Sequence, residues 1–204
     1  MKYFDAFSGY GGFSLGIQKA YGDNLRGRDG ETKEGDGEAD TSLKGVEATE
    51  ENPQRQGDST SIISTGITGS PLCIGFSEID KYAIQVYQKH FPTHKPYGDI
   101  TKLDPTTLPD FDLFVGGFPC QAFSIAGKRA GFEDTRGTLI YDVFRIIKEK
   151  HPKLVLLENV KGLLSHDSGR TFKTIITSLA ELGYAVQWQV LNAKNFGVPQ
   201  NRER

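Results

Sequence analysis

The sequence is poor in cysteine and has no long hydrophobic run, and each shortage excludes a class of protein. Among its 204 residues, Cys73 and Cys120 are the only thiols. They form no CxxC pair and have no histidine cluster beside them, which excludes a zinc site, and we expect no disulfide in a reducing compartment. No segment approaches the roughly 20 apolar residues of a membrane-spanning helix, and no apolar signal region follows Met1. These absences predict a cytoplasmic protein that uses no metal and contacts no membrane.

Two nucleotide-binding fingerprints are also missing, although a glycine turn is present. Ser8–Gly12 has neither GxGxxG spacing nor the GK[ST] of a phosphate loop. The turn nevertheless joins a predicted strand, Tyr3–Phe7, to a predicted helix, Phe13–Tyr21. Such a turn lets a ligand reach backbone N–H groups at a helix N-terminus, but a plain tight turn explains the same residues equally well.

The residues from Gly22 to Ser70 are polar and rich in Gly, Glu, Asp, Ser and Thr. They hold too few apolar side chains to offset the entropy of ordering them, so we expect a mostly disordered insertion. The net charge of −2 conceals an uneven distribution, because 10 acidic and 4 basic residues lie between Asp23 and Glu51. The remainder has 20 basic and 16 acidic residues, which mildly favours a polyanionic partner.

Apolar periodicity predicts strands and helices in alternation through the rest of the chain. The predicted strands are Leu72–Phe76, a brief strand ending at Gly98–Ile100, Phe111–Val115, Lys153–Leu157 and Tyr184–Leu191. The predicted helices are Lys81–His90, Leu139–Lys150 and Phe172–Leu182. This alternation predicts an α/β domain with a doubly wound, mostly parallel sheet.

The most informative stretch runs from Gly116 to Gly127 and contains Cys120. Two glycines let the backbone turn sharply after a buried strand, and Pro119 stiffens the next step. Cys120 therefore follows the carboxyl end of a strand, where ligands bind in open α/β sheets. A lone cysteine is usually a buried core residue, but the Gly-Gly-x-Pro-Cys-Gln setting favours a reactive thiol.

Carboxylates follow three other predicted strands at the same edge of the sheet. Glu78 suits ribose hydroxyls, which need an acceptor with two lone pairs, although a helix cap would explain it too. Asp99 lies at the end of the brief strand. Glu158 follows four apolar residues, which favours a proton-handling acid over a side chain that turns to solvent.

Basic residues cluster in two places. Lys128, Arg129 and Arg136 lie in a glycine-containing stretch that is typical of a mobile lid over an anionic substrate, or of a solvated charged loop. Arg202 and Arg204 lie two residues apart, so on extended backbone they point the same way. That arrangement suits a phosphate or a carboxylate partner.

Taken together, these motifs resemble the DNA (cytosine-5) methyltransferase family over nearly the whole chain except the insertion. Six motifs occur in the family's order: Phe4–Phe13, Glu78–Tyr82, Gly98–Ile100, Gly117–Gln121, Glu158–Val160 and Gln200–Arg204. The resemblance implies the Rossmann-like fold of S-adenosylmethionine-dependent methyltransferases, one catalytic domain over 1–204, and double-stranded DNA as the partner. It also implies a bacterial or phage-encoded enzyme of a restriction-modification or host-protection system.

The resemblance also implies a role for each motif. Cys120 would add to carbon-6 of a flipped cytosine, and Glu158 would contact the ring N3 and the exocyclic amine. Arg202 would hold Glu158 or the base carbonyl, and Arg204 would support the nucleophile. The cofactor S-adenosylmethionine would contact Phe7, Ser8, Gly9, Gly11, Gly12, Glu78, Ile79, Asp99, Ile100, Pro119 and Leu139. The substrate would contact Gln121, Ser124, Lys128, Arg129 and Arg136.

Several alternatives remain. A methyltransferase of the same fold that acts on transfer RNA has the same motif order, and a non-catalytic half of a split methyltransferase would retain the same fold. A thiol hydrolase would need a histidine base, and none of the four histidines has a signature relation to Cys120. The family's target-recognition region and its final helix are not evident, which predicts a catalytic fragment that is incomplete at its C-terminus, or a second chain that carries them.

Overall fold

A computed structural model describes residues 1–26, 70–119 and 139–204, with the backbone alone for 23–26. Most of the predicted insertion, 27–69, lies outside the described residues, as do 120–138. Within the described ranges, strands and helices alternate as β1 (Lys2–Ala6), α1 (Gly12–Arg26), β2 (Leu72–Ser77), α2 (Lys81–His90), β3 (Leu113–Gly117), α3 (Leu139–Lys150), β4 (Leu154–Glu158) and α4 (Arg170–Glu181). Short 3₁₀ helices cover Pro105–Thr107, Lys161–Leu164, His166–Gly169 and Ala193–Phe196.

The strands form one parallel sheet in the order β2-β1-β3-β4. Pairing places Ala6 level with Ser77 on one side and with Gly116 on the other. On β4, Glu158 lies level with Gly117. The carboxyl ends of the strands therefore meet at one edge of the sheet, which is where the sequence predicts the functional residues.

Alternate residues of β1 pack against opposite layers, as the two-residue period of a strand requires. Phe4 packs with Phe114 and with residues of α3 and α4 in the larger core cluster. Tyr3 packs with Val115 on the other face, where Phe13 of α1 covers them. Helices thus lie on both faces, and the predicted doubly wound α/β fold is confirmed.

Two helices have the predicted bounds because their end signals are local. Asp80 begins α2 by accepting the backbone N–H groups of Tyr82 and Ala83 at 2.7 and 2.9 Å. The bounds of α3 also agree, and its apolar side is buried along its length. Among the described helices, none is long and apolar enough to cross a bilayer.

Two predicted strands are wrong. Gly98–Ile100 forms a turn, in which the Lys102 N–H donates to the Asp99 carbonyl at 3.0 Å. Tyr184–Leu191 is not a strand, because within the described residues only Leu191 of that stretch makes ladder-type backbone bonds, to Arg204. Apolar alternation gives a segment the right faces, but a strand also needs a neighbouring backbone.

The two edges of the sheet differ. The outer edge of β2 is covered, since Phe76 exchanges backbone hydrogen bonds with Lys95 and Tyr97 at 2.9 and 2.8 Å. No described strand pairs with the outer edge of β4. On that strand Leu154 and Leu156, which share one face, are 58% and 51% exposed.

A buried polar chain links β1, α1 and α2 beneath the glycine turn. The Ser14 hydroxyl donates to Asp5 Oδ2 at 2.7 Å and lies 2.8 Å from the Tyr87 hydroxyl. Tyr87 in turn lies 3.0 Å from His94 Nδ1. Asp5 and Ser14 are fully buried, so this chain fixes the two helices to the strand that precedes the turn.

Burial raises the pKa of Asp5 from 3.8 to about 6, because a carboxylate loses its hydration there. The native protein therefore binds a proton that the unfolded chain releases at lower pH. Protonated Asp5 therefore contributes in full to the free energy of unfolding below about pH 4, and this contribution is lost as the pH rises through about 6.

Replacing Asp5 by Asn should remove this pH dependence while preserving the shape of the side chain. As the pH rises from 4 to 7, the wild type should lose up to about 3 kcal/mol of its free energy of unfolding, which Asp5→Asn should keep. Denaturant titrations at several pH values would measure this difference.

Asp112→Asn is the matched control with the opposite sign. Hydrogen bonds from the Lys2 N–H and from Lys153 lower the pKa of Asp112, so its stabilisation is present above about pH 4 and is lost as the pH falls. A pH-independent difference between Asp5→Asn and the wild type would contradict a raised pKa at Asp5.

Candidate active site at the carboxyl ends of the strands

The glycine turn after β1 is held in a tight conformation by its own backbone and by β2. The Ser8 N–H donates to the Ser77 carbonyl at 3.2 Å, and the Gly11 N–H donates to the Ser8 carbonyl at 2.8 Å. Gly11 has φ +91°, and a Cβ there would come within 2.6 Å of the Phe91 ring. Glycine is therefore required at this position, both by the backbone and by the close approach of an aromatic ring.

Glu78 is fixed against this turn. Its Oε2 accepts the Gly9 N–H at 2.9 Å, and its Oε1 accepts the N–H groups of Ile79 and Asp80 at 2.8 and 2.9 Å. Asp80, and not Glu78, caps helix α2, so the helix-cap alternative for Glu78 is wrong. Oε2 accepts only one N–H group and keeps a further lone pair, so Glu78 can still accept a ligand hydroxyl beside the turn.

Asp99 is tied to the same edge through the turn that replaces the predicted strand. The Ser77 hydroxyl donates to the Gly98 carbonyl at 2.6 Å. Asp99 Oδ1 accepts the Thr101 hydroxyl at 2.7 Å and its N–H at 3.0 Å, and these hydrogen bonds lower the pKa of Asp99. An ionised acceptor is thereby placed near the end of β2.

The remaining predicted cofactor residues lie in different environments. Ile100 is 3% exposed and belongs to the core, and Leu139 packs partly against that core at the start of α3. Ile79 is 75% exposed. The Ser8 hydroxyl is buried and, among the described residues, has no hydrogen-bond partner, so its hydrogen-bonding capacity is unused.

The turn, Glu78 and Asp99 together fit the polar groups of a nucleoside cofactor. They offer a turn with glycines at positive φ, two carboxylates and a hydroxyl that has no partner among the described residues, all at one edge of the sheet. Carboxylates beside a glycine turn suit ribose hydroxyls and an adenine amine, because these groups are hydrogen-bond donors.

Glu158 ends β4 directly beside the strand that leads to Cys120. Its Oε2 lies 2.9 Å from the position that a Cβ would occupy on Gly117. Its Oε1 lies 2.7 Å from Arg204 Nε in an ion pair, and the two side chains are 35% and 27% exposed. The carboxylate therefore lies over the end of β3 and is held there by an ion pair with Arg204.

Asn159 was not among the predicted site residues, but it contacts the chain just before Cys120. Its Nδ2 donates to the Phe118 carbonyl at 2.8 Å. Phe118 is buried and Pro119, which precedes Cys120 in the chain, is exposed. The position of Asn159 after Glu158 was the available signal, since a side chain that follows a strand end can reach the neighbouring strand's loop.

The two arginines differ in their contacts. The resemblance implied that Arg202 holds Glu158 or the base carbonyl, but it is Arg204 that pairs with Glu158. The Arg202 side chain is exposed and makes no ion pair within the described part of the chain. Contact of Arg202 with a base carbonyl stays a prediction.

Six predicted residues lie outside the described ranges, so their positions remain predictions. They are the nucleophile and the substrate-contacting residues: Cys120, Gln121, Ser124, Lys128, Arg129 and Arg136.

Comparison with known sequences identifies relatives of this chain. A model of the C-5 cytosine-specific DNA methylase family matches residues 60–204. The Type II methyltransferase M1.ScrFI of Lactococcus lactis subsp. cremoris is 61% identical over 128 residues, which are 63% of this chain and 33% of that protein. The Type II methyltransferase M.HhaI of Haemophilus parahaemolyticus is 52% identical over 132 residues, which are 65% of this chain and 40% of that protein. The chain thus spans about a third of the length of the curated relatives it matches.

Comparison with solved structures supports the fold alone, because the identities are low. The DNMT2 E260A/E261A/K263A mutant of Spodoptera frugiperda gives a TM-score of 0.57 at 19% identity, covering 99% of this chain and 47% of that one. A putative DNA modification methyltransferase of an Escherichia coli prophage gives 0.56 at 20% identity, covering 100% and 44%.

The close approach of Glu158 to Gly117 makes a testable prediction. In Gly117→Ala the new methyl group should displace the Glu158 carboxylate and break its ion pair with Arg204. Because the displaced atom is the end of a flexible side chain, the free energy of unfolding should fall by no more than about 1 kcal/mol. The nitrogen-15 NMR signal of the Arg204 Nε–H would report the lost bond.

Gly162→Ala is the control, because the nearest atom to its Cβ would be Val160 Cγ2 at an ordinary 3.9 Å. This variant should keep the Arg204 signal. An unchanged Arg204 signal in Gly117→Ala would show that the carboxylate does not depend on the space above Gly117.

Proposed function

Because this chain belongs to the C-5 cytosine-specific DNA methylase family, we propose that it forms the catalytic part of an enzyme that methylates carbon-5 of cytosine in DNA. The observation that carries the proposal is the Glu158–Arg204 pair at 2.7 Å. It places an oriented carboxylate over the end of β3, from which the chain continues through Pro119 to Cys120.

The chemistry explains why these side chains are needed together. Carbon-5 of cytosine is a weak nucleophile, and addition of the Cys120 thiolate to carbon-6 makes the ring an enamine that is nucleophilic at carbon-5. Glu158 contacts N3 and the exocyclic amine, and it stabilises the proton that N3 gains during this addition. A base inside a duplex cannot reach a thiolate, so the target cytosine is flipped out of the helix.

Arg204 holds Glu158 in the orientation that this contact requires. Arg204 Nε lies 2.7 Å from Oε1, which leaves Oε2, over Gly117, for the base. A guanidinium is always charged and has a fixed planar geometry, so it orients the carboxylate without exchanging a proton with it. Arg202, which is exposed, is available for the base carbonyl or a phosphate.

S-adenosylmethionine, when bound, supplies an electrophilic methyl group to carbon-5. Glu78 would accept a ribose hydroxyl, Asp99 would accept the adenine amine, and the Ser8–Gly12 turn would carry the rest of the nucleoside. Phe7, Ile79, Pro119 and Leu139 provide apolar contacts around them. Loss of the carbon-5 proton to solvent then lets the ring expel Cys120 as a thiolate, which restores the enzyme.

DNA is the proposed substrate, and the residues 128–136 contribute three cations toward its phosphates. The named relatives are Type II methyltransferases, which supports a role in a restriction-modification system. Side-by-side methyl transfer from labelled S-adenosylmethionine to duplex DNA and to transfer RNA would distinguish the two nucleic acids. Transfer of the labelled methyl group to transfer RNA but not to DNA would refute DNA as the substrate.

Covalent trapping tests the nucleophile. In a duplex with 5-fluorocytosine at target positions, fluorine replaces the carbon-5 proton that is normally lost. Because fluorine cannot leave in this way, the covalent adduct with Cys120 should persist through denaturing electrophoresis. Cys120→Ser should lose the adduct and at least about 10³-fold of the methyl-transfer rate, while it should still bind S-adenosylmethionine in calorimetry.

The other cysteine provides the matched control. Cys73 lies on β2, is 8% exposed, and has a pKa raised to about 11 by burial, so Cys73→Ala should still be trapped. An adduct that persists in Cys120→Ser, or equal loss of cofactor binding and of transfer, would mean that Cys120 is not the nucleophile.

A further inference from the structure

The segment that carries Arg204 is held to the rest of the chain by few backbone bonds. Arg204 and Leu191 exchange two backbone hydrogen bonds of 2.8 Å, and the Ala193 N–H donates to the Arg202 carbonyl at 2.9 Å. The loop 193–201 joins these paired residues. So short a ladder specifies its register weakly by itself.

One buried side chain ties the two ends of this loop together. Asn192 is 9% exposed, and its Oδ1 accepts the Arg202 N–H at 3.1 Å and the Lys194 N–H at 3.2 Å. Its Nδ2 donates to Asn201 Oδ1 at 2.6 Å. The side-chain amide of Asn192 therefore bonds residues at both ends of the loop. In the backbone pairing, Asn192 lies directly opposite Glu203.

The register matters because the charges alternate along this segment. A slip of one residue would bring Glu203 opposite Leu191, where Arg204 now lies. A carboxylate would then approach Glu158 in place of a guanidinium, and like charges at that distance repel. The sign of the charge next to Glu158 thus depends on a one-residue difference in pairing.

A second contact opposes this slip, but it is weaker. Lys161 Nζ lies 3.0 Å from Glu203 Oε2, and the two side chains are 55% and 43% exposed. Ion pairs so open to solvent contribute little, because water screens them and both side chains lose freedom. The buried hydrogen bonds of Asn192 are the stronger constraint, since breaking them leaves buried polar groups without partners.

We propose that Asn192 is a positioning residue of the active site, which acts by holding Arg204 in register against Glu158. The described hydrogen bonds of the Asn192 side chain all go to its own segment, to Lys194, Asn201 and Arg202. Its effect on methyl transfer rests on the proposed function, whereas its effect on the Arg204–Glu158 bond does not.

The bond itself can be followed without catalysis. The Arg204 Nε–H, whose nitrogen-15 signal is assigned by its disappearance in Arg204→Gln, should exchange slowly with solvent in the wild type, because Nε lies 2.7 Å from the Glu158 carboxylate on a side chain that is only 27% exposed. Asn192→Ala should raise its exchange rate at least about 10-fold. Asn192→Asp should keep it slow, because the carboxylate still accepts both backbone N–H groups and the Asn201 amide can turn to donate.

Asn195→Ala is the matched control, since Asn195 is the same residue type in the same loop, is exposed, and uses only its backbone N–H in the described contacts. It should leave the signal unchanged. If Asn192→Ala does not fold, Asn201→Ala removes one of the Asn192 hydrogen bonds at an exposed position and should still accelerate exchange. Slow exchange in either of these two variants, once folded, would overturn the proposal.

Kinetics of the full protein test the functional consequence. Asn192→Ala should lower kcat by about 10- to 100-fold, as expected for a displaced catalytic group, with KM for DNA within about 2-fold. In an Arg204→Gln background the same substitution should have little further effect, because its target is already absent. Independent losses that multiply would overturn a role through Arg204. If the wild type transfers no methyl group, the proposed function fails, and the exchange measurement alone decides the role of Asn192.

Discussion

The site depends on the parallel pairing of β3 with β4, which sets Glu158 level with Gly117. This register brings an acidic side chain over the strand that leads to Cys120, and the absence of a side chain at Gly117 gives the carboxylate its space. A residue with a Cβ at that position would push the carboxylate away from the sheet edge. The geometry of the acid thus follows from a backbone pairing and one missing methyl group, before any polar contact is made.

Polar contacts then orient what the sheet has placed. The Glu158–Arg204 pair is about one third exposed, and pairs of that kind add little to stability. The pair matters for the orientation of Glu158, because Arg204 contacts Oε1, whereas Oε2 lies over Gly117. Glu78 is oriented in the same manner by three backbone N–H groups. At both places an acidic side chain at the end of a strand is contacted by a residue distant in sequence, Gly9 for Glu78 and Arg204 for Glu158.

The sequence predicted best what is encoded locally. Asp80 gave the start of α2, apolar stripes placed α2 and α3, and the alternation of strands and helices gave the parallel sheet. The strand β3 was placed two residues too early, because Phe111 is buried in the core without pairing in the ladder. Tyr184–Leu191 failed as a strand, and Arg202 was assigned a contact that Arg204 makes, because both depend on which backbone lies opposite. Pairing between segments distant in sequence has no local signature in a single chain.

The uncovered edge of β4 affects how this chain behaves when it is handled alone. Its backbone groups face outward on the side that no described strand pairs with, and Leu154 and Leu156 add an apolar face. An edge of this kind is a template for adding a strand from another molecule. Concentrated preparations of the 204-residue chain should therefore self-associate through β4, and a lysine at position 156 would be the simplest way to keep them monodisperse.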